Sequence, residues 1–234
     1  MPKGGLPELR ATPRFHDMKL GRREFMKFVT AAIAGVPGKL SSDVFQSPRF
    51  YVDKGLGFGF EIPRGWYLEA FREDFHELLG GQTLAPPYED DRETMMELSQ
   101  GLLATLSKYP IVGDPVKRFS PSITFFRGDE SCMEDHENLM DLTSKSMIGF
   151  RCLLTDYECM EEPQFVRRSD CVMVRGKSRF LFEHREIEPV LIDDEMFVVH
   201  HQRSIYTIHL YDSPYGGDTS QDEFRIFRES LHIA

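Results

Sequence analysis

The chain has 234 residues, 41% of them hydrophobic and 12% aromatic, and a formal charge of −10 from 28 basic and 38 acidic side chains. That length fits one domain with a terminal extension, and that apolar content can fill a core, which excludes a mostly disordered chain. No uninterrupted apolar run reaches the roughly 18–20 residues of a membrane span, which argues against a polytopic membrane protein, and the acidic balance argues against a general nucleic-acid binder.

The charge is unevenly spread. Residues 1–40 carry eight basic and three acidic groups, a net of +5, which leaves 20 basic and 35 acidic groups, a net of −15, to the rest. Within the basic segment, Gly21-Arg22-Arg23-Glu24-Phe25-Met26-Lys27 precedes the apolar run Phe28 to Val36 and then Pro37-Gly38-Lys39. A cationic stretch, a short apolar stretch and a small-residue exit form the layout of an export signal. Arg22, Arg23, Phe25, Met26 and Lys27 resemble the twin-arginine translocation signal, although Gly21 stands where that pattern has Ser or Thr and Met26 where it often has Leu. The expected organisation is an export signal over 1–40, a linker over 41–48 and one domain over 49–234. No Ser-rich, acid-poor transit segment precedes Arg22, which favours a bacterial periplasm over the thylakoid lumen as destination.

In the domain, Phe50-Tyr51-Val52 and Phe58 to Pro63 predict two strands, the second with Phe58, Phe60 and Ile62 alternating with Gly59, Glu61 and Pro63. Pro63-Arg64-Gly65 predicts a turn before Trp66-Tyr67-Leu68. Gly55, Gly57 and Gly59 lack the spacing of a dinucleotide fingerprint and precede a strand. Met95, Leu98, Leu102 and Leu106, with Leu103 beside them, predict a helix closed by Pro110. Ser122 to Arg127 reads as a strand. Met133, His136, Met140, Thr143 and Met147, flanked by Leu139 and Ile148, predict a second helix whose methionines are core filler. Strands are expected at Cys152 to Thr155, Cys171 to Arg175, Phe180 to Ile187, Met196 to Gln202 and Ile205 to Tyr211. Ser220-Gln221-Asp222-Glu223 is a capping-box pattern opening a helix with Phe224, Phe227 and Leu231 on one face. Successive strands with flanking helices imply an α+β fold, an antiparallel sheet flanked by helices.

Two segments carry a family resemblance. Gly57-Phe58-Gly59-Phe60-Glu61-Ile62-Pro63-Arg64-Gly65-Trp66 resembles the opening of PsbP-like domains, and Phe224-Arg225-Ile226-Phe227-Arg228-Glu229-Ser230-Leu231 resembles their terminal helix. The resemblance covers about residues 49–234 and implies an αβα sandwich. It also implies a binding or assembly protein rather than an enzyme, since known members are an extrinsic photosystem II subunit, its bacterial and lumenal relatives, and similarly folded Ran-binding import factors.

Chemical motifs are sparse. Cys132, Cys152, Cys159 and Cys171 have no C-x-x-C or zinc-ribbon spacing; in an oxidising compartment they allow three full disulfide pairings, and in the cytosol they are small buried groups. A two-residue turn at Arg203-Ser204 would set Val198 opposite His209, His200 opposite Thr207 and Gln202 opposite Ile205. That register makes His200, Thr207 and His209 one polar face with the histidines as diagonal neighbours, while His201 becomes a satisfied core-edge histidine. Cys132 and His136 are spaced for a nucleophile pair but show no orienting group. The acidic runs at 89–91 and at Asp193-Asp194-Glu195 lack calcium-loop spacing and read as solvated turns. No nucleophile elbow, P-loop or H-E-x-x-H occurs.

These features predict an exported, non-enzymatic PsbP-like binding protein with no cofactor and no nucleic-acid partner. Its expected counterpart is a protein at a membrane-facing complex, and an acidic body makes a basic partner or a weakly held divalent cation its electrostatic complement. The alternatives are a small exported hydrolase or metal-dependent enzyme using His200 and His209, and a cytosolic partner-binding regulator.

Overall fold

The computed structural model describes residues 44–46, 49–53, 57–69, 82–85, 101–110, 116, 118–129, 133, 137–168, 171–215 and 220–233. Residues 1–40, which the sequence reads as an export signal, lie outside them, as do Met95, Leu98, Cys132, His136 and the acidic run at 89–91.

Two antiparallel sheets stack face to face. The smaller runs β1 (Val44–Gln46), β2 (Phe50–Asp53), β3 (Phe58–Glu61) and β12 (His232–Ile233). It begins inside the segment 41–48 that the sequence reads as a linker. The larger runs β4 (Tyr67–Glu69), β6 (Leu102–Ser107), β7 (Ser122–Asp129), β11 (Ser204–Asp212), β10 (Ile187–His201), β9 (Val172–His184) and β5 (Gln82–Thr83). β8 (Thr155–Arg167) also pairs with β9.

Alternation on these strands decides the layers. Ile123, Phe125, Phe197, Val199, Ile208 and Leu210 point from the large sheet toward the small one, where they meet Tyr51, Phe58 and Phe60. Phe60 stacks on Phe125 at 4.7 Å, and Phe227 of helix α2 (Gln221–Ser230) meets both edge-on at 5.4 and 5.6 Å. Each such pair contributes about 0.5–1.5 kcal/mol beyond its buried area. Helix α1 (Leu139–Leu153) covers the opposite face of the large sheet, burying Leu142, Met147 and Leu153 against Met196, Val198 and Ile205. Among the described residues the protein is mostly antiparallel β with two helices. The expected αβα layering is thus only approximate: α2 shares its layer with the small sheet.

The Pro63 turn forms as the sequence predicts. Trp66 N–H donates to the Pro63 carbonyl at 3.1 Å, and Gly65 takes φ +80°, the left-handed value a type II turn needs at its third residue. Asn138 starts α1 by accepting from the Met140 and Asp141 amides at 2.9 and 3.1 Å, so the helix begins at Leu139 rather than at Met133. Arg168 closes α2 by donating to the Arg228 and Leu231 carbonyls, which the helix leaves without internal partners.

Four expectations need correction. Leu102 to Ser107 is a strand, not a helix, because the Leu102–Leu106 interval of four satisfies both the helical repeat and the two-residue repeat of a strand. Cys152 and Leu153 end α1 instead of opening a strand, since Leu153 is buried on the helix's core face. The strands expected at 171–175 and 180–187 are largely one: β9 runs unbroken through Arg175-Gly176-Lys177-Ser178-Arg179, whose charges lie on one face only. The Ser220 capping box does not form. Ser220 Oγ makes no cap bond and instead receives Lys108 Nζ at 3.4 Å, while its N–H donates to Asp212 at 3.0 Å.

Gly176 lies directly beneath α1, where a Cβ would be 2.6 Å from Met147 Sδ. Gly176→Ala is expected to destabilise the fold by about 1–3 kcal/mol, with Met147→Ala restoring part of the loss in a double-mutant cycle read by urea unfolding.

Candidate functional site

The β10–β11 hairpin turns at Gln202-Arg203, one residue earlier than the sequence suggests, with Gln202 at φ 54° and His201 opposite Ser204. Arg127 Nε donates to Ser204 Oγ at 3.0 Å and helps hold Ser204 in the strand. The shift preserves both faces but changes every partner. His200 now stands opposite Ile205, Val198 opposite Thr207, and Met196 opposite His209. His200 and His209 therefore lie four residues apart along the hairpin, on the order of 13 Å at the strand rise, and do not form the diagonal pair. His200 is exposed, Thr207 partly buried and His209 buried. His201 also departs from expectation: its Nε2 is buried without a hydrogen-bond partner.

The partner of His209 is a residue that sequence reasoning assigned to a turn. Asp193-Asp194-Glu195 lies in the middle of β10. Its alternation sends Asp193 and Glu195 to one face and Asp194 to the other. Asp193 receives Arg179 Nε at 2.6 Å and Arg179 Nη2 at 3.1 Å. Glu195 binds Arg228 of α2 and lies 3.8 Å from Arg175, which also reaches Glu161 at 2.8 Å; Lys177 meets Glu161 at 2.9 Å. Asp194, 6% exposed, receives His209, 3% exposed, with Nδ1 3.1 and 3.0 Å from its two oxygens. The acidic run is a strand whose carboxylates are neutralised from both sides.

Cross-strand pairing extends Asp194 and His209 into a polar band on the face of the large sheet that α1 partly covers. Tyr67, Ser107, Ser122, Tyr211, Asp194, Ser178 and Cys159 stand opposite one another in one row across seven strands. The next row is Thr105, Thr124, His209, Met196 and Gly176. Among the described residues the hydroxyls of Thr105 and Ser107 are buried without hydrogen-bond partners, each at a cost of about 1–3 kcal/mol, while the Thr124 hydroxyl lies against the Tyr211 phenol. Around the imidazole, Tyr211 stacks at 5.3 Å, while Phe126 and Phe150 meet it edge-on at 5.9 and 5.7 Å.

A carboxylate on Nδ1 fixes an imidazole's orientation, as in a general base, with Nε2 as the working nitrogen. Here three aromatic rings close the imidazole in, so the geometry is that of a buried, oriented pair. Burial also makes the neighbouring phenols weaker acids: Tyr211, and Tyr157 beside Ser178 and Asp194, both ionise well above the ordinary tyrosine range. The same cause raises the buried Asp212 carboxyl, although the Ser220 and Ser213 amides and the Gln221 side chain donate to it.

Among the described residues no group of three or more His, Cys, Asp or Glu side chains could hold a metal ion, and no helix is long and apolar enough to cross a membrane. Cys152 and Cys159 form no disulfide among the described residues.

No protein-family model matches this chain, and no curated protein does. Among solved structures it is similar to the solution structure of cyanobacterial PsbP from Synechocystis, at 15% identity and a TM-score of 0.47, covering 86% of this chain and 98% of that one. It is also similar to a crystal structure from Bacteroides thetaiotaomicron, at 10% identity and a TM-score of 0.40, covering 81% of this chain and 49% of that one. These are distant likenesses, and neither decides a family.

Two outcomes follow from the band. Asp194→Ala, which strands His209, is expected to cost about 1–3 kcal/mol in urea unfolding. Tyr51, Tyr157 and Tyr211 all ionise at higher pH folded than unfolded. Their contribution is therefore intact below about pH 10, the unfolded value, and is lost as pH rises above it. Tyrosinate absorbance is expected to appear together with unfolding rather than before it, and Tyr157→Phe to move that onset upward.

Proposed function

We propose that this protein is an exported, non-enzymatic binding or assembly protein of PsbP-like type, acting at a membrane-facing complex in the periplasm or thylakoid lumen. The observation that carries the reading is the contact between the two segments that bear the resemblance. Trp66, which ends the Pro63 turn, meets Phe224 of α2 edge-on at 5.8 Å. Phe60 meets Phe227, Glu61 N–H donates to Ser230 Oγ at 2.9 Å, and β3 pairs with β12 directly after α2. Segments separated by more than 150 residues in the chain thus form one packed unit, in keeping with a shared domain plan.

The leader residues Arg22, Arg23, Phe25, Met26 and Lys27 supply the export part of the proposal. The enzymatic alternative used His200 and His209 together. It loses support because these residues belong to different cross-strand rows and only His209 has a carboxylate partner.

Fractionation of native cells tests the export reading. The protein is expected outside the cytoplasm, and Arg22→Lys with Arg23→Lys is expected to retain it inside; a full-length cytosolic wild-type protein would favour the regulator alternative. Metal analysis tests the non-enzymatic part. Purified protein is expected to hold no stoichiometric transition metal, whereas metal present at one per chain and lost in His200→Ala would favour the enzyme.

A further inference from the structure

The domain's excess of acid makes its free bases informative. With 35 acidic against 20 basic groups beyond residue 40, an arginine on this surface has many available partners. Arg49, Arg175, Arg179, Arg225 and Arg228 all have them. Arg64, Arg151, Arg167, Arg185 and Arg203 are exposed and make no side-chain hydrogen bond or ion pair among the described residues; what distinguishes Arg167 and Arg203 is that they lie together.

Strand pairing gathers these two arginines at one end of the large sheet. Arg167 stands opposite Val172, and two residues earlier on the same face Phe165 stands opposite Val174. Directly opposed side chains in an antiparallel pair have Cβ atoms about 4.5–5.5 Å apart. Met173 pairs with Val199, so the next position of β10 beside Val172 is His200, also exposed, and Arg203 occupies the turn that follows. Phe165 is 57% exposed and Val172 50% exposed. The turn ends of two neighbouring hairpins therefore present a diagonal apolar pair, Phe165 and Val172, bordered by Arg167, His200 and Arg203.

We infer that this hairpin end is a docking surface for an acidic segment of a partner protein carrying an apolar side chain. The inference rests on the partner-binding reading above and names its face. Charge selects the occupant: in a body of net −15, two neighbouring arginines without a carboxylate partner among the described residues complement a segment that brings its own. The apolar pair supplies a short-range contact that desolvation makes favourable and that a purely polar segment would not use. An anionic bilayer suits the surface less well. Two apolar side chains give little insertion, and a plane of negative charge would also face Glu158 and Glu162, exposed on the same β8 and without ion pairs among the described residues. Strand addition along β8 is also disfavoured, because its pairing with β9 is interrupted by three irregularities and it carries Pro163.

The partner chemistry is the reverse of what the whole-chain charge suggests. Net charge predicts a basic counterpart, whereas the unpaired groups beside the exposed apolar pair call for an acidic one.

The test uses the full chain and a fluorescent peptide of glutamates interspersed with phenylalanine. A matched peptide with lysine in place of glutamate and phosphatidylserine vesicles serve as competitors. Anisotropy is expected to show the acidic peptide binding, weakening with salt, and losing at least tenfold in affinity in Arg167→Glu with Arg203→Glu and again in Phe165→Ser. Unfolding midpoints verify that these exposed substitutions leave the domain folded; Phe165→Ser alone serves if the double variant does not fold. Equal binding by folded variants, preference for the lysine peptide, or binding to vesicles but not to peptide would each overturn the inference. Localisation is read separately by fractionation, so failure of the export reading and failure of this surface are distinguishable.

Discussion

The fold depends on how β10 accommodates three consecutive carboxylates in the interior of a sheet. A strand offers only two faces, so Asp193 and Glu195 must be met from one side and Asp194 from the other. Arg179 from β9 and Arg228 from α2 answer the first demand, and His209 from β11 answers the second. An uncompensated buried carboxylate costs several kcal/mol. These pairings therefore discriminate the native register from neighbouring ones: a one-residue slip would exchange the faces and leave Asp194 without its imidazole.

The same alternation divides the molecule into an aromatic side and a polar side. Toward the small sheet, Phe60, Phe125 and Phe227 form a packed group that joins β3, β7 and α2. Toward α1, the band from Tyr67 to Cys159 brings hydroxyls, two phenols and a carboxylate under partial apolar cover. The stability of the first side offsets the unsatisfied hydroxyls of the second. His209 belongs to that polar side as an enclosed group held by Asp194, which is why the hairpin contributes architecture at its middle and accessible chemistry only at its end.

Much of the architecture was legible because its signals are local. The Pro63 turn needs a glycine at its third position and has Gly65. β7, the core of β10 and β11 alternate cleanly, and α2 places Phe224, Phe227 and Leu231 on one side. Leu102 and Leu106 misled because an interval of four fits both periods, and the cross-strand contacts of Ala104 and Leu106 in the core decided for the strand. The acidic triplet misled for a related reason: three adjacent acids look solvated unless the arginines and the histidine that meet them are known to be near. Their partners lie 14, 33 and 15 residues away, beyond any local pattern.

By itself the sequence determined the antiparallel character of the last third, the turn at Pro63, the amphipathic terminal helix and the contrast between a basic N-terminal segment and an acidic remainder. These follow from backbone sterics, side-chain period and composition, all properties of short stretches. Only the tertiary structure decided the hairpin register, the union of Asp194 with His209, the separation of His200 from it and the convergence of Phe165, Val172, Arg167 and Arg203 at one sheet end. Each is a matter of which strand lies beside which and in what register, and pairing across a sheet is fixed by packing and by the neutralisation of buried charge, not by residues adjacent in the chain.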